Sequence, residues 1–280
     1  MCRLCRPADR AVSSTAMADW HPSGVITMTT DFGHKGPFAA VMQGVIVSRF
    51  RQATVIDLAH DIPAHWPPEA GFWLSRSYKF FPPGTVHIAI VDPGVGTERD
   101  IIVASSDGHL FMAPDNGLLA PILDSADRVC KLRHSGLSEY GVDTPSLTFH
   151  GRDIFAPLAA ELAAGRISVD DIADETSDWT PGWLDDPDVQ SDRVAGIIVT
   201  VDAFGNLISN IDASHVERFD KPVVDVAGHR IEMKPTYGRA KPGAYLALIN
   251  SFGVLEIARA EDSAADGLGC DRGAPVVVSA

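Results

Sequence analysis

Basic residues are scarce in this 280-residue chain: 23 Lys and Arg stand against 37 Asp and Glu, which gives a formal net charge of −14. Nucleic acids are bound through clustered positive charge, so this balance argues against a nucleic-acid partner. The sequence also lacks an apolar run near the roughly 20 residues that cross a bilayer, and no basic amphipathic stretch suits a membrane surface. We therefore expect a cytoplasmic protein with no nucleic-acid or membrane partner.

Cysteine is equally rare, and none of the four cysteines suggests a disulfide framework. Two of them form Cys2-x-x-Cys5, a spacing found in metal sites, but no second pair of Cys or His lies near it. The first 20 residues contain no continuous apolar segment of a secretory signal, and Met17 offers an alternative start. We expect residues 1–23 to be a disordered tail or a start-site artefact.

Hydrophobic residues make up 45% of the sequence, which is typical of a chain that folds around a core. In residues 24–168, β-rich segments alternate with segments of helical periodicity, which predicts an α/β N-terminal domain with a mainly parallel sheet. Residues 169–192 are rich in Asp and Pro and are expected to form an acidic linker. Residues 193–280 carry short β-rich segments between Gly, Pro and Asn turns, which predicts a smaller all-β C-terminal domain.

The individual elements follow from hydrophobic periodicity and turn signals. In the first domain we predict strands at 25–30, 54–58, 85–91, 101–105 and 109–112, and helices at 38–46, 69–80, 116–123 and 153–164. In the second domain we predict strands at 194–201, 223–226, 230–233, 245–249, 254–258 and 275–279. The dipeptide Asp107-Gly108 predicts a tight hairpin between two of the strands.

The most informative segment begins where an apolar strand runs into an acid, Asp92, then a Pro/Gly turn and a base, Arg99. Strand ends at the carboxyl edge of an α/β sheet bind small molecules, and Gly94 and Gly96 allow a ligand to approach the backbone closely. A second polar cluster, around His150, opens a predicted helix. Asp92, Arg99 and His150 are therefore candidate catalytic residues; the alternative is a common turn with a surface ion pair.

Six motifs occur in order across both predicted domains: TDFG at 30–33, VDPGVGT at 91–97, APDNGLL at 113–119, FHGRD at 149–153, DAFGN at 202–206 and NSFG at 250–253, the last followed by IAR at 257–259. With these motifs the chain resembles the S-adenosyl-L-methionine (SAM) hydroxide adenosyltransferases over residues 25–280. This family is the hydrolase branch of the superfamily that contains the SAM-dependent fluorinase and chlorinase.

The resemblance implies an N-terminal α/β domain, a C-terminal β domain, and a homotrimer that binds SAM between one subunit's N-terminal domain and its neighbour's C-terminal domain. It also implies a reaction in which water attacks C5′ of SAM and releases adenosine and methionine without a cofactor. Asp92, Arg99 and His150 fall on the positions of the family's catalytic triad.

The resemblance also implies substrate-binding roles for six residues. Asp31 would hold the ribose hydroxyls, Asp202 the amino group and Ser251 the carboxylate of the substrate, and the adenine would contact Phe204, Asn206 and Arg259. Three of these residues have structural alternatives. The carboxylate at position 31 could cap the following helix, the amide at 206 could be a turn residue, and the guanidinium at 259 could belong to a structural ion pair.

Departures from the halogenases favour water as the nucleophile. Asp92 and His150 stand where the halogenases carry tyrosines, and Val95 stands where the fluorinase has a threonine beside the halide. A carboxylate would repel a halide anion. A tryptophan of the halogenases aligns with His65, and the fluorinase's long insertion is absent from the short Asp107-Gly108 turn. We predict SAM hydrolysis, with two alternatives: a SAM-dependent halogenase, and a SAM- or adenosine-binding sensor with negligible turnover.

Two further classes receive little support. His34, His60, Asp61 and His65 lie near predicted strand ends, but their spacing fits no compact metal-binding motif, and no metal is expected. A methyltransferase is disfavoured because the first strand is followed by an Asp-Phe-Gly-His sequence and not by a Gly-x-Gly loop.

Overall fold

The computed structural model describes residues 20–280, which belong to two compact units; the first ends at Gly182 and the second is Trp183–Ala280. Most of the predicted tail, with Cys2 and Cys5, lies outside the described residues. The segment 169–192 contains one helix and one strand of the first unit, and the boundary between the units falls inside it. No helix of residues 20–280 is long and apolar enough to cross a membrane.

Strands and helices alternate through most of the first unit. Its strands are β1 (Val25–Thr30), β2 (Thr54–Ala59), β3 (Val86–Ile90), β4 (Ile101–Ser106), β5 (His109–Pro114), β6 (Arg128–Leu132) and β7 (Ala173–Glu175). Its helices are α1 (Phe38–Arg49), α2 (Pro67–Ser77), α3 (Ala120–Leu123), α4 (Ala156–Ala163) and α5 (Val169–Ile172). Short 3-10 turns occur at Tyr78–Phe80 and Leu137–Tyr140, and a π-helical turn at Gly151–Phe155.

The seven strands form one mixed sheet in the order β2-β1-β3-β5-β4-β6-β7. The β2–β1, β1–β3 and β3–β5 pairs are parallel, whereas the β5–β4, β4–β6 and β6–β7 pairs are antiparallel. The prediction of a mainly parallel sheet is therefore right for one half only. The other half starts at the β4–β5 hairpin, where Asp107 and Gly108 have φ angles of 51° and 78° and reverse the chain in two residues.

Helices cover both faces of this sheet. On one face, α1 and α4 pack on the strands, and Met42 and Ile46 of α1 join Ile26 in one apolar cluster. On the other face, Leu74 of α2 joins Phe111 of β5 in a second cluster. Every residue of β3, β4 and β5 is buried, which explains why these strands read as nearly continuous apolar runs rather than alternating ones.

Two helices of the first unit differ from their predictions. The predicted helix 116–123 is reduced to α3, because Asn116 turns the chain: its Nδ2 donates to the Val91 carbonyl at 2.8 Å and its Oδ1 accepts from the Leu118 N–H at 3.2 Å. Gly117 follows with a φ of 85°, outside the helical region. The predicted helix 153–164 starts earlier, with the π-helical turn, and becomes regular only in α4.

The second unit is one antiparallel sheet with two short helices, α6 (Ala213–Val216) and α7 (Ala264–Leu268). Its strands are β8 (Asp188–Val189), β9 (Arg193–Val201), β10 (Leu207–Asp212), β11 (Val223–Val226), β12 (His229–Glu232), β13 (Tyr245–Ile249), β14 (Val254–Arg259) and β15 (Pro275–Ser279). The order is β12-β11-β15-β9-β10-β14-β13, and a bridge between Met233 and Ala247 nearly closes the sheet into a barrel. The predicted β domain is confirmed in outline, although neither β8 nor β10 is predicted from the sequence.

Two buried histidines interact near the amino ends of the central strands. His87 Nδ1 lies 2.7 Å from Thr27 Oγ1, and His87 Nε2 lies 3.1 Å from His109 Nδ1. The His87 ring stacks on Phe111 with centroids 5.0 Å apart. Burial, with a smaller contribution from His109, lowers the pKa of His87 to about 3. His87 is therefore neutral in the folded protein over a pH range in which the unfolded chain becomes protonated.

We expect acid to destabilise the first unit through His87. Its folded pKa of about 3 lies below its ordinary value of 6.5, so the penalty is absent above pH 6.5 and grows as the pH falls towards 3. Between pH 7 and pH 5 this group should remove about 2 kcal/mol from the free energy of unfolding. Urea denaturation of the wild type and His87→Gln at both pH values measures the difference. An equal loss in the two proteins would contradict this account.

Candidate active site

Two neighbouring parallel strands bring the first two acids of the site to one edge of the sheet. β1 and β3 are paired along their length, with Thr30 opposite Ile90. Asp31 follows β1 directly, and Asp92 follows β3 one residue further on. Both carboxylates therefore lie at the carboxyl edge of the parallel half of the sheet, where ligands bind in this class of fold.

Asp92 and Arg99 form a close bidentate ion pair. Arg99 Nε lies 3.0 Å and 2.9 Å from the two carboxylate oxygens, and Arg99 Nη2 makes a short contact with Asp92 Oδ2. The two side chains are only 5% and 10% exposed, so this is not the surface ion pair of the alternative interpretation. Because the guanidinium stays protonated and its fork is planar, it fixes the plane of the carboxylate.

The turn between these two residues is held by its own main chain and by a close neighbour. The Val95 N–H donates to the Asp92 carbonyl at 3.3 Å. Gly96 has a φ of 79°, and a Cβ at this position would lie 2.2 Å from the Leu147 carbonyl oxygen. Only glycine fits there. The backbone of the turn therefore packs closely against Leu147, in the segment that precedes His150.

His150 is the third member of the cluster, although it lies 51 positions after Arg99 in the sequence. Its Nδ1 lies 3.0 Å from Arg99 Nη2, and its backbone directly precedes the π-helical turn. Because a guanidinium only donates, Nδ1 must accept this hydrogen bond, and the ring proton lies on Nε2. Burial and then the Arg99 charge lower the pKa of His150, against an opposing effect of Asp92. The neutral imidazole is therefore the favoured form near pH 7.

A cavity of about 300 Å³ lies beside this cluster. Asp31, Asp92 and His150 supply polar groups to its wall, and the other lining residues are Phe32, Phe38, Ile90, Val95, Thr148, Phe149 and Gly151. The rings of Phe32, Phe38 and Phe149 contact one another, with centroids 5.6–6.0 Å apart. No role for these rings is predicted from the sequence, although a phenylalanine stands directly beside each of two polar candidates, Asp31 and His150.

Asp31 reaches the cavity with one oxygen already bonded. Its Oδ2 accepts a hydrogen bond from the His65 N–H at 3.2 Å. Helix α1 begins only at Phe38, with Pro37 at its N-cap, so Asp31 does not cap that helix and the capping alternative is wrong. A carboxylate in a cavity wall, held by a backbone N–H, is suited to accept hydrogen bonds from ligand hydroxyls.

In the second unit, Asp202 and Asn206 belong to one tight turn. Asp202 Oδ1 accepts from the N–H groups of Phe204 and Asn206, each at 2.9 Å, and Oδ2 accepts from Asn206 Nδ2 at 2.9 Å. Asn206 thus makes the contacts of a turn residue. The Phe204 side chain between them is 80% exposed, which presents a large ring at the surface of this unit.

The remaining two candidates also lie in the second unit. Ser251 is exposed in the turn between β13 and β14. Arg259, at the end of β14, lies 2.8 Å from Asp262 Oδ2, donates to the Gly243 carbonyl at 3.1 Å and packs over the Tyr245 ring at 5.3 Å. These contacts are those of a structural ion pair. The structure therefore groups four site candidates in the first unit and the other five in the second.

The histidines considered as metal ligands make other contacts. His34 Nε2 lies 3.7 Å from Asp61 Oδ2, whereas the buried His60 faces Thr30. Across residues 20–280, no three His, Cys, Asp or Glu side chains are grouped closely enough to hold a metal ion.

A polar cluster at the carboxyl edge of an α/β unit, followed by an antiparallel β unit, defines a two-domain protein of the small-molecule-binding class. Residues 26–173 match the family model described as the SAM hydroxide adenosyltransferase N-terminal domain, and residues 196–277 match its C-terminal domain. The chain belongs to the SAM hydroxide adenosyltransferase family, which confirms the resemblance found in the sequence.

Individual relatives agree with this family. A protein of Thermus thermophilus named (R)-S-adenosyl-L-methionine hydrolase is 36% identical over 253 residues, which cover 88% of this chain and 96% of the relative. The crystal structure of an uncharacterised conserved protein from Thermotoga maritima matches with a TM-score of 0.84 and 31% identity, over 91% of this chain and 100% of that one. A fluorinase of Actinopolyspora mzabensis is more distant, at 24% identity over 87% of this chain and 93% of its own.

Removal of the Arg99 guanidinium should raise the pKa of His150. In Arg99→Leu, the charge that opposes the imidazolium is gone and the Asp92 carboxylate that favours it is left without its partner. Proton–nitrogen correlation NMR should show a neutral His150 with its proton on Nε2 in the wild type at pH 7, and a titration at higher pH in the variant. His109 serves as the internal reference. A His150 pKa that stays constant or falls would contradict the assigned electrostatics.

Proposed function

We propose that this protein hydrolyses SAM to adenosine and L-methionine through attack of water on C5′. The observation that carries the proposal is the Asp92–Arg99–His150 cluster, of which Asp92 and His150 line a cavity, within a chain of the SAM hydroxide adenosyltransferase family. Relatives named (R)-S-adenosyl-L-methionine hydrolase support the substrate and the reaction. The reaction requires no cofactor, because SAM is itself the activated substrate.

The chemistry places its main demand on the nucleophile. The sulfonium leaves as the neutral thioether of methionine, so no general acid is needed. Water is a weak nucleophile and must lie in line behind C5′. The Asp92 carboxylate is placed to accept a hydrogen bond from that water, and Arg99 holds the carboxylate in one orientation. Alignment of this kind can lower the activation free energy by on the order of 7–11 kcal/mol.

His150 contributes the opposite kind of contact. Its Nδ1 is occupied by Arg99, so Nε2 is left as a hydrogen-bond donor. A neutral donor beside the Asp92 acceptor gives the water two directional contacts, and the Asp92 carboxylate accepts the proton that the water loses as its oxygen bonds to C5′. The low exposure of the Asp92–Arg99 pair strengthens these interactions because competing solvent is reduced.

The substrate-binding roles follow the family resemblance. In this assignment Asp31 accepts hydrogen bonds from the two ribose hydroxyls, as its position in the cavity wall supports. The amino group and carboxylate of the substrate contact Asp202 and Ser251. The adenine packs on the exposed Phe204 ring and contacts Asn206 and Arg259. These two side chains would keep their contacts with Asp202 and Asp262 while they bind the adenine.

We propose further that the active protein is a homotrimer in which the second unit of one subunit completes the cavity of its neighbour. Exposed large apolar side chains in both units support this: Phe38, Val41 and Leu147 in the first unit and Phe204 in the second. Sedimentation equilibrium should give the mass of three chains; the mass of a single chain would contradict the assembly.

The leading alternative is a SAM-dependent halogenase, because a fluorinase is among the more distant relatives. The carboxylate of Asp92 at the cavity wall argues against it, because an anion would have to enter a partly desolvated site beside a second negative charge. A binding protein without turnover is the other alternative.

Incubation with SAM in oxygen-18 water tests the proposal. We expect labelled adenosine, with the heavy oxygen on C5′, together with free methionine, because water is the nucleophile. A parallel reaction with added chloride or fluoride should give the same products and no 5′-halogenated adenosine. Unchanged SAM without halide, and halogenated product with it, would overturn hydrolysis in favour of the halogenase; binding without any product would favour the sensor.

Variants of the ion pair should separate turnover from binding. In Asp92→Asn and Arg99→Ala we expect kcat to fall by at least about 100-fold, because the water loses its anionic acceptor or that acceptor loses its orientation. Adenosine affinity, measured by calorimetry, should change only a few-fold. Asp174→Ala removes an exposed arginine pair of the same sheet and serves as the control. A kcat close to that of the wild type in either site variant would refute the assigned roles.

A further inference from the structure

His60 is a buried histidine beside the site for which the proposed mechanism has no use. It follows β2 at the carboxyl edge of the sheet, and its side chain is only 1% exposed. The strand before it is half-exposed, so burial of a polar ring at this position is unusual for the segment. A buried imidazole without hydrogen bonds would destabilise the fold, and the contacts of His60 therefore indicate what it does.

Two hydrogen bonds link His60 to the turn that carries Asp31, and a third lies within the turn. His60 Nδ1 lies 2.8 Å from Thr30 Oγ1, and this same hydroxyl oxygen accepts the Phe32 N–H at 3.2 Å. The Gly33 N–H donates to the His60 carbonyl at 2.8 Å. One residue thus contacts the turn through both its side chain and its main chain, on either side of the Asp31 carboxylate.

The other ring nitrogen of His60 faces an acid. Nε2 lies 2.9 Å from Asp57 Oδ1, close enough for an ion pair although the two groups are not aligned as a hydrogen bond. Asp57 Oδ1 is itself held by Gln43 Nε2 at 2.7 Å. The two ring nitrogens of His60 thus face different groups, Thr30 at Nδ1 and Asp57 at Nε2.

The Asp31 carboxylate is also held from the far side of the same segment. The N–H that donates to its Oδ2 belongs to His65, whose φ of 62° places a non-glycine residue in the left-handed region. Such a conformation is costly and persists only where its surroundings impose it. Residues 60–65 therefore brace the Asp31 turn at both ends.

We propose that His60 is a positioning residue that holds the 30–33 turn in the shape that presents Asp31 to the ribose of the substrate. The proposal rests on the proposed function for the identity of the ligand. His60 contacts no substrate in this assignment; it acts through Thr30 and the backbone of the turn.

Two substitutions separate the two ring nitrogens. In His60→Asn the amide lies where Nδ1 was and keeps a partner for Thr30, whereas in His60→Gln it lies near the position of Nε2 and the Thr30 contact is lost. The matched control is His87→Gln, because His87 also pairs its Nδ1 with a threonine hydroxyl of β1, at 2.7 Å, but contacts no part of the turn.

We expect His60→Gln to raise KM for SAM about tenfold with kcat changed less than threefold, since the ribose contact is made in the ground state and the transition state alike. Calorimetry should show a similar loss of adenosine affinity but a smaller loss for 2′-deoxyadenosine, which cannot use both oxygens of Asp31. His60→Asn should restore most of the affinity. The control should lose stability and keep the wild-type preference between the two nucleosides.

The outcomes distinguish this proposal from the proposed function. Equal losses for both nucleosides in His60→Gln, or no recovery in His60→Asn, would overturn the positioning role even in an active hydrolase. Wild-type protein that makes no adenosine from SAM would overturn hydrolysis, while the nucleoside preference of the His60 variants would still report on the turn.

Discussion

The parallel pairing of β1 with β3 is the constraint on which the site depends. It fixes Thr30 beside Ile90, so the residues that follow the two strands emerge as neighbours, and one edge of the sheet acquires two carboxylates. The central strands are buried on both faces, so a slip of one residue would move every side chain from one packed core into the other, where its shape does not fit. The strand register that the two cores impose therefore also determines where the site lies.

The electrostatics of the site follow from that placement. A lone aspartate at the wall of a largely apolar cavity would lose hydration without compensation. The bidentate arginine replaces the lost hydrogen bonds from water and adds a compensating positive charge. The same guanidinium then determines the tautomer of His150 and lowers its affinity for a proton. One cation thus orients the acceptor at Asp92 and, together with burial, favours the neutral imidazole at His150.

Local patterns in the sequence predict much of this, but not all. Val25–Thr30 and Pro275–Ser279 are found with their full bounds, since each is a β-branched run between turn residues. β10 escapes notice because Ser209 and Asn210 interrupt its pattern and its pairing shifts register beside them. The catalytic candidates can be proposed from the sequence because they stand at strand ends and at the start of a helix. Whether their side chains come into contact depends on the tertiary structure, which local patterns do not give.

The contacts made by His60 illustrate that limit. Thr30 and His60 are thirty positions apart, and nothing in either local sequence says that β2 will lie beside β1. The aromatic cluster of the cavity wall is hidden for the same reason, since its three rings come from separate segments. In the second unit the opposite holds: the Asp202–Asn206 bonds lie within five residues, and a turn interpretation predicts them.

The turn that carries Asp92 leads to a different conclusion, about how such a site changes over evolutionary time. Main-chain bonds and the tight fit at Gly96 give the turn its form, so the side chain of Val95 faces the cavity without being needed to shape the loop. Mutation at such a position alters what the cavity admits and leaves the scaffold intact. The lining of the cavity can therefore change while the glycine and the backbone that it approaches must be inherited together.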